Sequence, residues 1–475
     1  MSRASATNGA EGRRGTAWDA INWHQADRIV RNLRHRIFRA TRANDLRRVR
    51  SLQKLMLRCY SNILMSIRRV TQVNAGRNTP GVDKVLVKTP ATRGRLLDYL
   101  SSTQPWRASP VRRVYIPKTN GKQRPLGIPT VLDRCLQAMV KQALEPEWEA
   151  RFEGSSYGFR PGRSCHDAIA RIYHLACPNK RKKWLVDADI QGAFDNISHD
   201  FLLKALGEAS GRALVKQWLK AGVMEDGAFH ATAAGTPQGG VISPLLLNIA
   251  LHGMEPALGV RYRRTGEIAG ERAVVRYADD FVVFCESKED AQRVRDRLLP
   301  PWLAERGLSL SEEKTRVVHL TEGFDFLGCT VRHHHAPRTT RTGYKLLIRP
   351  SKKAVLRKRQ ELRGVWLGLK GHNVGAALRK LNPIIRGWAN YYRTVACSEV
   401  FRKMDRWMFC REIRYVKHMH PNKPWKWRKS HYWGKLHNKR KERWVFGDKG
   451  SGAYLLKFSW HNNVRHPYRD AGDRR

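Results

Sequence analysis

Asp189, Asp279 and Asp280 are the residues of this chain best placed to do chemistry. Two apolar runs, Ala273-Val274-Val275 and Phe281-Val282-Val283-Phe284, flank Tyr277-Ala278-Asp279-Asp280. Their β-branched and aromatic content predicts two strands with the Asp pair at the turn. Alone, that turn has a second reading, because Asp tolerates turn geometry. Asp189 weighs against it. Trp184-Leu185-Val186-Asp187-Ala188-Asp189-Ile190 reads as a strand that becomes acidic at its end, and a carboxylate there is costly unless it is paired or binds metal. If both segments join one antiparallel sheet, three carboxylates converge and repel. Divalent cations resolve that repulsion, and hard oxygen ligands with spare water positions suit Mg²⁺. Two such ions about 3.5–4 Å apart clamp the attacking and leaving oxygens of an in-line phosphoryl displacement.

Such a site needs a grip on an anionic substrate. Val114-Tyr115-Ile116-Pro117 predicts a strand, and Asn120-Gly121 is a strong hairpin signal. Lys118 and Arg124 flank that turn and could both reach one phosphate; an ordinary charged strand pair is an equal reading. Lys314, on the approach to a strand within 308–318, could neutralise or protonate a leaving pyrophosphate. The turn Gly235-Thr236-Pro237-Gln238-Gly239-Gly240 permits close backbone approach to a ligand. It precedes an apolar helix expected over 242–254, and the absence of G-K-[ST] argues against a nucleoside-triphosphatase loop. Cys165, His166 and Asp167 resemble a nucleophile cluster on paper, but neighbours in sequence cannot share one helix face. Ser164 and Asp167 read instead as an N-cap and its N3 partner, opening a helix to about residue 176.

The elements that must position these groups fit a chain of 475 residues, 41% hydrophobic, long enough for two or three domains. A net charge of +49 and a pI near 10.7 point to a polyanion. No apolar run reaches the ~18–20 residues of a membrane span, so nucleic acid is favoured over a membrane surface. Eight cysteines without a C-x-x-C pair exclude a disulfide framework or zinc ribbon and fit reduced thiols in a cytosolic protein. Residues 1–17 read as a disordered tail with no signal-peptide core. Helical spacing begins at Trp18, with Val30, Leu33, Ile37, Ala40, Val49, Leu52, Met56 and Cys59 as core positions. Arg28, Arg31, Arg34 and Arg36, then Arg47, Arg48 and Arg50, form basic faces read as phosphate contacts or solvated surface. Loop chemistry follows at 74–81, an amphipathic helix at 132–152 and a helix at 288–306. His333-His334-His335 is expected in a solvated loop rather than a metal site, within a basic break at 333–343. Helices return after 351. Seven of the 15 tryptophans lie beyond residue 380, either as core or as stacking surfaces interleaved with Lys and Arg.

In order along the chain stand Asn-Thr-Pro-Gly-Val-Asp (78–83), Val-Tyr-Ile-Pro-Lys (114–118) with Arg-Pro-Leu-Gly-Ile-Pro (124–129), and Ser-Tyr-Gly-Phe-Arg-Pro-Gly-Arg (156–163). Then come Asp-Ile-Gln-Gly-Ala-Phe-Asp-Asn-Ile (189–197), Gly-Thr-Pro-Gln-Gly-Gly-Val-Ile-Ser-Pro (235–244), Tyr-Ala-Asp-Asp (277–280), Phe-Leu-Gly (326–328) and Leu-Asn-Pro-Ile-Ile-Arg-Gly-Trp-Ala-Asn-Tyr-Tyr (381–392). A lone Tyr-Ala-Asp-Asp is weak; the ordered set is specific. From about residue 18 to 460 the chain resembles the group II intron-encoded reverse transcriptase/maturases of the bacterial type with an N-terminal helical extension.

The resemblance implies an α+β right-hand polymerase, with fingers and a palm built on an antiparallel sheet, an α-helical N-terminal extension and an α-helical thumb, or domain X. It implies that Asp189, Asp279, Asp280 and the Ile190 backbone carbonyl hold two Mg²⁺ ions. Lys118 and Arg124 would grip the incoming triphosphate, Phe194 would crowd the sugar 2′ position, and Gln238 would sit beside the nascent base pair. Phe326-Leu327-Gly328 would grip the primer. The expected divisions are 18–73 for the extension, 74–340 for fingers and palm, 345–445 for the thumb and 446–475 for a basic C-terminal segment, a truncated DNA-binding region. Relatives often continue into a DNA-binding region and an H-N-H endonuclease, and 467–475 does not resemble that continuation; a natural short form and a truncated frame both fit. The implied partners are the group II intron RNA, an RNA template with a DNA primer, deoxynucleotides and target DNA, in the bacterial cytoplasm and without a membrane. The implied function is an RNA-directed DNA polymerase that is also a maturase, promoting splicing and retrohoming by target-primed reverse transcription. The rivals are a splicing cofactor with a silent polymerase site, or a relative recruited to phage defence.

Overall fold

The computed structural model describes residues 17–102, 106–117, 121, 123–338 and 340–467. Lys118, Asn120, nearly all of the expected N-terminal tail and residues 468–475 lie outside them.

Three helices, Trp23–Arg42, Leu46–Arg58 and Tyr60–Arg68, open the chain. Asn22 caps the first through Gln25 N–H and Asp45 the second through Arg48 N–H. Val30, Leu33, Ile37, Ala40, Val49, Leu52 and Met56 are all buried, as helical spacing predicts, and they close on Ala143. Cys59 is only part-buried, at the end of the second helix. Arg34, expected on a phosphate-binding face, instead donates to Gln142 (2.5 Å) and Glu145 (2.6 Å) of the helix Val131–Arg151. That helix is buried on nearly every side rather than amphipathic, because the three N-terminal helices cover one flank and the helix Ser243–Ala250 also packs on it.

β1 (Val111–Pro117) and β2 (Gln123–Ile128) form the expected hairpin, with Pro117 opposite Gln123. β3 (Trp184–Asp189) belongs to a second sheet. β4 (Val223–Glu225) and β5 (Ala228–His230) extend the first, with β4 parallel to β1. β6 (Ala273–Tyr277), β7 (Asp280–Cys285) and β8 (Arg316–His319) complete the second sheet in the order β6-β7-β3-β8, antiparallel throughout. Both of its faces are covered. Val186, Ala188, Phe281 and Val283 face one core, while Leu185, Val275, Val282 and Phe284 face another. Burial on both sides explains why β6 and β7 read as apolar runs rather than as alternation.

Several expected boundaries move. The apolar helix expected over 242–254 ends at Ala250, and Gly253 at φ 92° starts a separate turn, Met254–Ala257. The helix expected over 288–306 passes through a π-turn, Val294–Leu298, because Pro300 and Pro301 remove backbone donors. The expected basic break contains a hairpin: β9 (Phe324–Phe326), β10 (Cys329–His335) and β11 (Tyr344–Pro350) form a three-stranded sheet. His333, His334 and His335 therefore lie on a strand. His333 is buried, with its ring nitrogen 2.6 Å from the Ala176 carbonyl.

Helices Lys352–Leu367, Val374–Tyr392, Ser398–Met419 and Trp425–Tyr432 build the C-terminal third. Trp366, Trp388 and Trp433 are core, whereas Trp425 and Trp444 are exposed. Phe446, Leu455 and Phe458, in the segment expected as basic and as a truncated DNA-binding region, pack into the same core. Asp405 accepts from Phe458 N–H (2.7 Å) and Ser459 N–H (3.0 Å) there. All eight cysteines are free. Among the described residues no helix is long and apolar enough to cross a membrane.

Candidate active site

The register of the second sheet assembles the acids. β3 pairs with β7 so that Asp189 stands opposite Asp280, and the β6–β7 hairpin sets Tyr277 opposite Asp280. Asp279 occupies the turn itself. Ala278 takes φ 61°, a left-handed conformation unusual for a residue with a Cβ. Two distant segments thus bring Asp189, Asp279 and Asp280 to one end of the sheet, as expected.

Their electrostatics follow from that placement. Burial, followed by repulsion from Asp187, Asp189 and Asp279, pushes Asp280 up to about 7. Burial, then Asp189, raises Asp279. Lys314 Nζ forms an ion pair with Asp189 Oδ2, and that hydrogen bond raises the lysine. Asp187 lies one pleat behind Asp189, where Arg316 Nε donates to it at 3.1 Å. It was visible as the i−2 neighbour of Asp189 on the same strand face, but its apolar neighbours hid its part in the cluster.

Clustered oxygen donors whose charge is held down by mutual repulsion suit a hard divalent cation. Among the described residues, however, no group of three or more acidic, His or Cys side chains already stands in a metal-holding arrangement. Lys314 supplies the positive charge beside Asp189, and a cation would share or take that place. The Ile190–Leu310 bridge is closed by Gln191 N–H to Ser309 O (3.0 Å) and Ser311 N–H to Asp189 O (2.8 Å). The Ile190 carbonyl stays out of that ladder.

A second set of groups surrounds the acids. Gly192, at φ 53°, breaks the chain after β3 and starts the short helix Ala193–Asn196, which buries Phe194 against the edge of Phe159, 6.3 Å between ring centroids. The glycine-rich turn seats on this helix through Thr236 N–H to Phe194 O (2.6 Å) and Gly235 N–H to Ile197 O (2.8 Å). A side chain at Gly235 would meet the Asp195 backbone. Arg124 Nε donates to Gln238 Oε1 (2.5 Å), Gln238 Nε2 to Asp195 Oδ2 (3.3 Å), and Gly127 N–H to Gln238 O (2.9 Å). Arg124, Gln238 and Phe194, read separately in the sequence, are therefore linked from the β1–β2 hairpin to the end of β3.

Phe326-Leu327-Gly328 forms a tight turn, with Leu327 at φ 49° and Gly328 at φ 76°. It is braced from the C-terminal third: Tyr391 OH donates to Leu327 O (2.8 Å), Tyr392 OH to Gly328 O (3.2 Å), and Ser351 N–H to Gly328 O (2.9 Å). Sequence reasoning missed these tyrosines because nothing local marks a contact 64 residues away. Cys165, His166 and Asp167 form no nucleophile cluster. Asp167 completes the expected capping box with Ser164 and pairs with His466 at 2.8 Å, and the His166 ring nitrogen lies 2.7 Å from the Tyr391 carbonyl.

Comparison with known proteins gives three family matches along the chain. Residues 18–100 match the N-terminal domain of reverse transcriptase, 116–331 match reverse transcriptase (RNA-dependent DNA polymerase), and 355–433 match the group II intron maturase-specific domain. Protein YkfC of Escherichia coli is 36% identical over 301 residues, 55% of this chain and 77% of YkfC. The group II intron-encoded protein LtrA of Lactococcus lactis is 34% identical over 298 residues, and the match spans 49% of each chain, about half of LtrA. Telomerase from Candida albicans is a remote structural likeness, with a TM-score of 0.37 and 14% identity over 68% of this chain and 61% of that one, too weak to carry argument.

Proposed function

The chain belongs to the group II intron-encoded reverse transcriptase/maturases, and on that premise we propose that it copies RNA into DNA at Asp189, Asp279 and Asp280 and assists its parent intron. The observation that carries this reading is the register that sets Asp189 opposite Asp280 beside the Asp279 turn. We assign the cofactor as Mg²⁺, two ions held by those three carboxylates and the Ile190 carbonyl. When bound, the metal supplies charge neutralisation and Lewis acidity at the phosphoryl group. Everything else is done by the protein. Arg124, fixed by Gln238, presents positive charge to an incoming deoxynucleoside triphosphate, and we assign Lys118 the same role. Lys314, already an ammonium held high by Asp189, is suited to neutralise or protonate the leaving pyrophosphate. The Phe194 ring, packed under Phe159, is suited to reject a ribonucleotide by overlap. The Phe326–Gly328 turn, braced by Tyr391 and Tyr392, would hold the primer end.

The helical extension and the basic, Trp-bearing C-terminal third are the surfaces we assign to intron RNA, for splicing and for re-insertion at target DNA in a bacterial cytoplasm. The test is Asp279→Ala, assayed side by side for extension of a DNA primer on an RNA template and for splicing of the intron. Copying should be lost and splicing kept. Normal incorporation by Asp279→Ala would overturn the site assignment.

A further inference from the structure

Arg276 is the largest of the fully buried side chains, 1% exposed, in a strand whose preceding residues are Ala273, Val274 and Val275. A buried guanidinium normally meets a carboxylate. Among the described residues Arg276 makes no ion pair. Its Nη1 donates to Asn248 Oδ1 (3.0 Å) and to the Ala278 carbonyl (3.3 Å), and Nη2 is buried without a hydrogen-bond partner. Burial lowers it to about 10, and the charges of Glu153, Glu255 and Asp279 work against that fall. The group it grips is the strained one. Ala278, at φ 61°, sits immediately before Asp279 and is itself buried.

The grip is braced from behind. Asn248, 1% exposed on the helix Ser243–Ala250, donates its Nδ2 to the Gly158 carbonyl at 2.8 Å. Gly158 lies against the Ala278 backbone so closely that any side chain there would overlap it. The Arg276 backbone is tied to the same segment, through Arg276 N–H to Ser155 O (3.0 Å) and Tyr157 N–H to Arg276 O (2.9 Å). A left-handed turn in a residue with a Cβ persists only when its surroundings over-determine it, and here the arginine Nη1, the asparagine and the bare glycine do so.

We propose that Arg276 is a positioning residue of the polymerase site. With Asn248 it holds the Ala278 carbonyl, and through it the turn that aims the Asp279 and Asp280 carboxylates. This rests on the reading of those acids as catalytic. The arginine has a specific geometric reason to be there: both bonds leave Nη1, whose two N–H groups are fixed in the guanidinium plane and reach acceptors on different segments, whereas a lysine carries rotatable donors on a flexible stem.

The test uses the full chain, with single-nucleotide incorporation on a primed RNA template resolved into the rate constant of the first turnover and the fraction of enzyme that reacts. Arg276→Lys should lower the rate constant about ten- to a hundredfold, the scale of a small misplacement of reacting groups. The reacting fraction, primer–template affinity and dNTP dependence should stay within about twofold of wild type. Asn248→Ala should act in the same direction but less, and the double variant should be no slower than Arg276→Lys alone, because the two side chains act as one unit. A loss confined to the reacting fraction, or strictly additive losses, would make Arg276 a packing residue only and overturn the proposal. If Arg276→Lys does not fold, the rate constant of Asn248→Ala decides. Asp279→Ala runs alongside: an active Asp279→Ala defeats the site reading, whereas a dead one beside a wild-type Arg276→Lys defeats this inference alone.

Discussion

Asp280 in the palm and Glu412 in the thumb are both carboxyl groups pushed up to about 7, and they arrive there differently. For Asp280 burial is joined by repulsion from Asp187, Asp189 and Asp279, and the group remains partly accessible at the end of its sheet. Glu412 is sealed in the helix Ser398–Met419, where burial dominates. Its relief comes from Trp433, whose indole N–H donates to Glu412 Oε2 at 3.0 Å, and from Lys457. A sealed acid whose one repelling neighbour, Asp405, is a minor influence beside burial is neutralised by a proton and serves packing. A cluster of acids at an accessible edge keeps several mutually repelling carboxylates within reach of solvent, and that is the environment that recruits a cation. The number alone does not separate the two regions; the neighbours do.

The largest effect that tests this contrast is on copying. Asp280→Asn should reduce nucleotide incorporation at least about 10³-fold, whereas Glu412→Gln should leave it within about twofold. Asp280→Asn should nevertheless melt higher than the metal-free wild type at pH 8, because it removes a carboxylate that folding forces against three others. Equal losses of copying in both variants would erase the distinction. Next in size is the Phe326–Gly328 turn, proposed to grip the primer and braced by Tyr391 and Tyr392. Gly328 is at φ 76°, and a Cβ there would lie 2.7 Å from Tyr392 OH. Gly328→Ala should weaken extension about tenfold, through primer affinity rather than through the rate at saturating primer, with kcat and primer KM measured separately. Tyr391→Phe removes one hydrogen bond to Leu327 O and should weaken it in the same way by less.

A smaller effect separates the acids by pH. A carboxyl raised in the folded state binds its proton there while the unfolded chain has lost it. Folding stability contributed by such a group is therefore present at low pH and falls as pH rises between its ordinary value and about 7. Glu412 is raised from 4.5 and Asp280 from 3.8, so metal-free Tm should fall across roughly pH 4–7. Glu412→Gln should remove its share of that slope whether or not Mg²⁺ is present. The Asp280 share should vanish when Mg²⁺ is added, because a cation favours the ionised form. A slope in Glu412→Gln that equals wild type in both conditions would show that the thumb acid does not titrate in this window.

Much of the palm was legible because its information is local or periodic. The apolar runs around Asp279 and Asp280 and the acidic end of β3 predict strands, and the register then joins them. Val30, Leu33 and Ile37 revealed their face by spacing alone. What was illegible depends on partners far away in the chain. Arg34 looked like a phosphate contact until Glu145 appeared beside it. The three histidines looked like a loop because a strand buried on one side only carries polar residues, and the pairing of β10 with β11 cannot be read from either segment alone. Arg276, next to the most recognisable turn in the chain, passes for one more basic residue until its burial is seen.

The smallest effect concerns the thumb's own surface, where sequence left each tryptophan divided between core and stacking. Trp388 and Trp433 are core. Trp425 is 44% exposed and lies 6.5 Å from Trp444 with the rings within 18° of parallel, and Lys429 Nζ stands 4.4 Å from the Trp444 ring centroid. An open aromatic face beside fixed positive charge suits an unstacked base next to a phosphate. Trp425→Ala should therefore weaken binding of the intron RNA by a few-fold, since half of the ring is already in contact with protein. Its signature is in the salt dependence. Phosphate contacts set the slope of log K against log salt, about −0.7 to −0.9 per phosphate neutralised, and stacking does not. Titrations of Trp425→Ala should run parallel to wild type and below it, whereas Lys429→Ala should flatten the slope by about one contact. A flattened line for Trp425→Ala would mean that the ring acts by holding Lys429 in place, and the aromatic surface would then be part of the charge rather than a stacking platform.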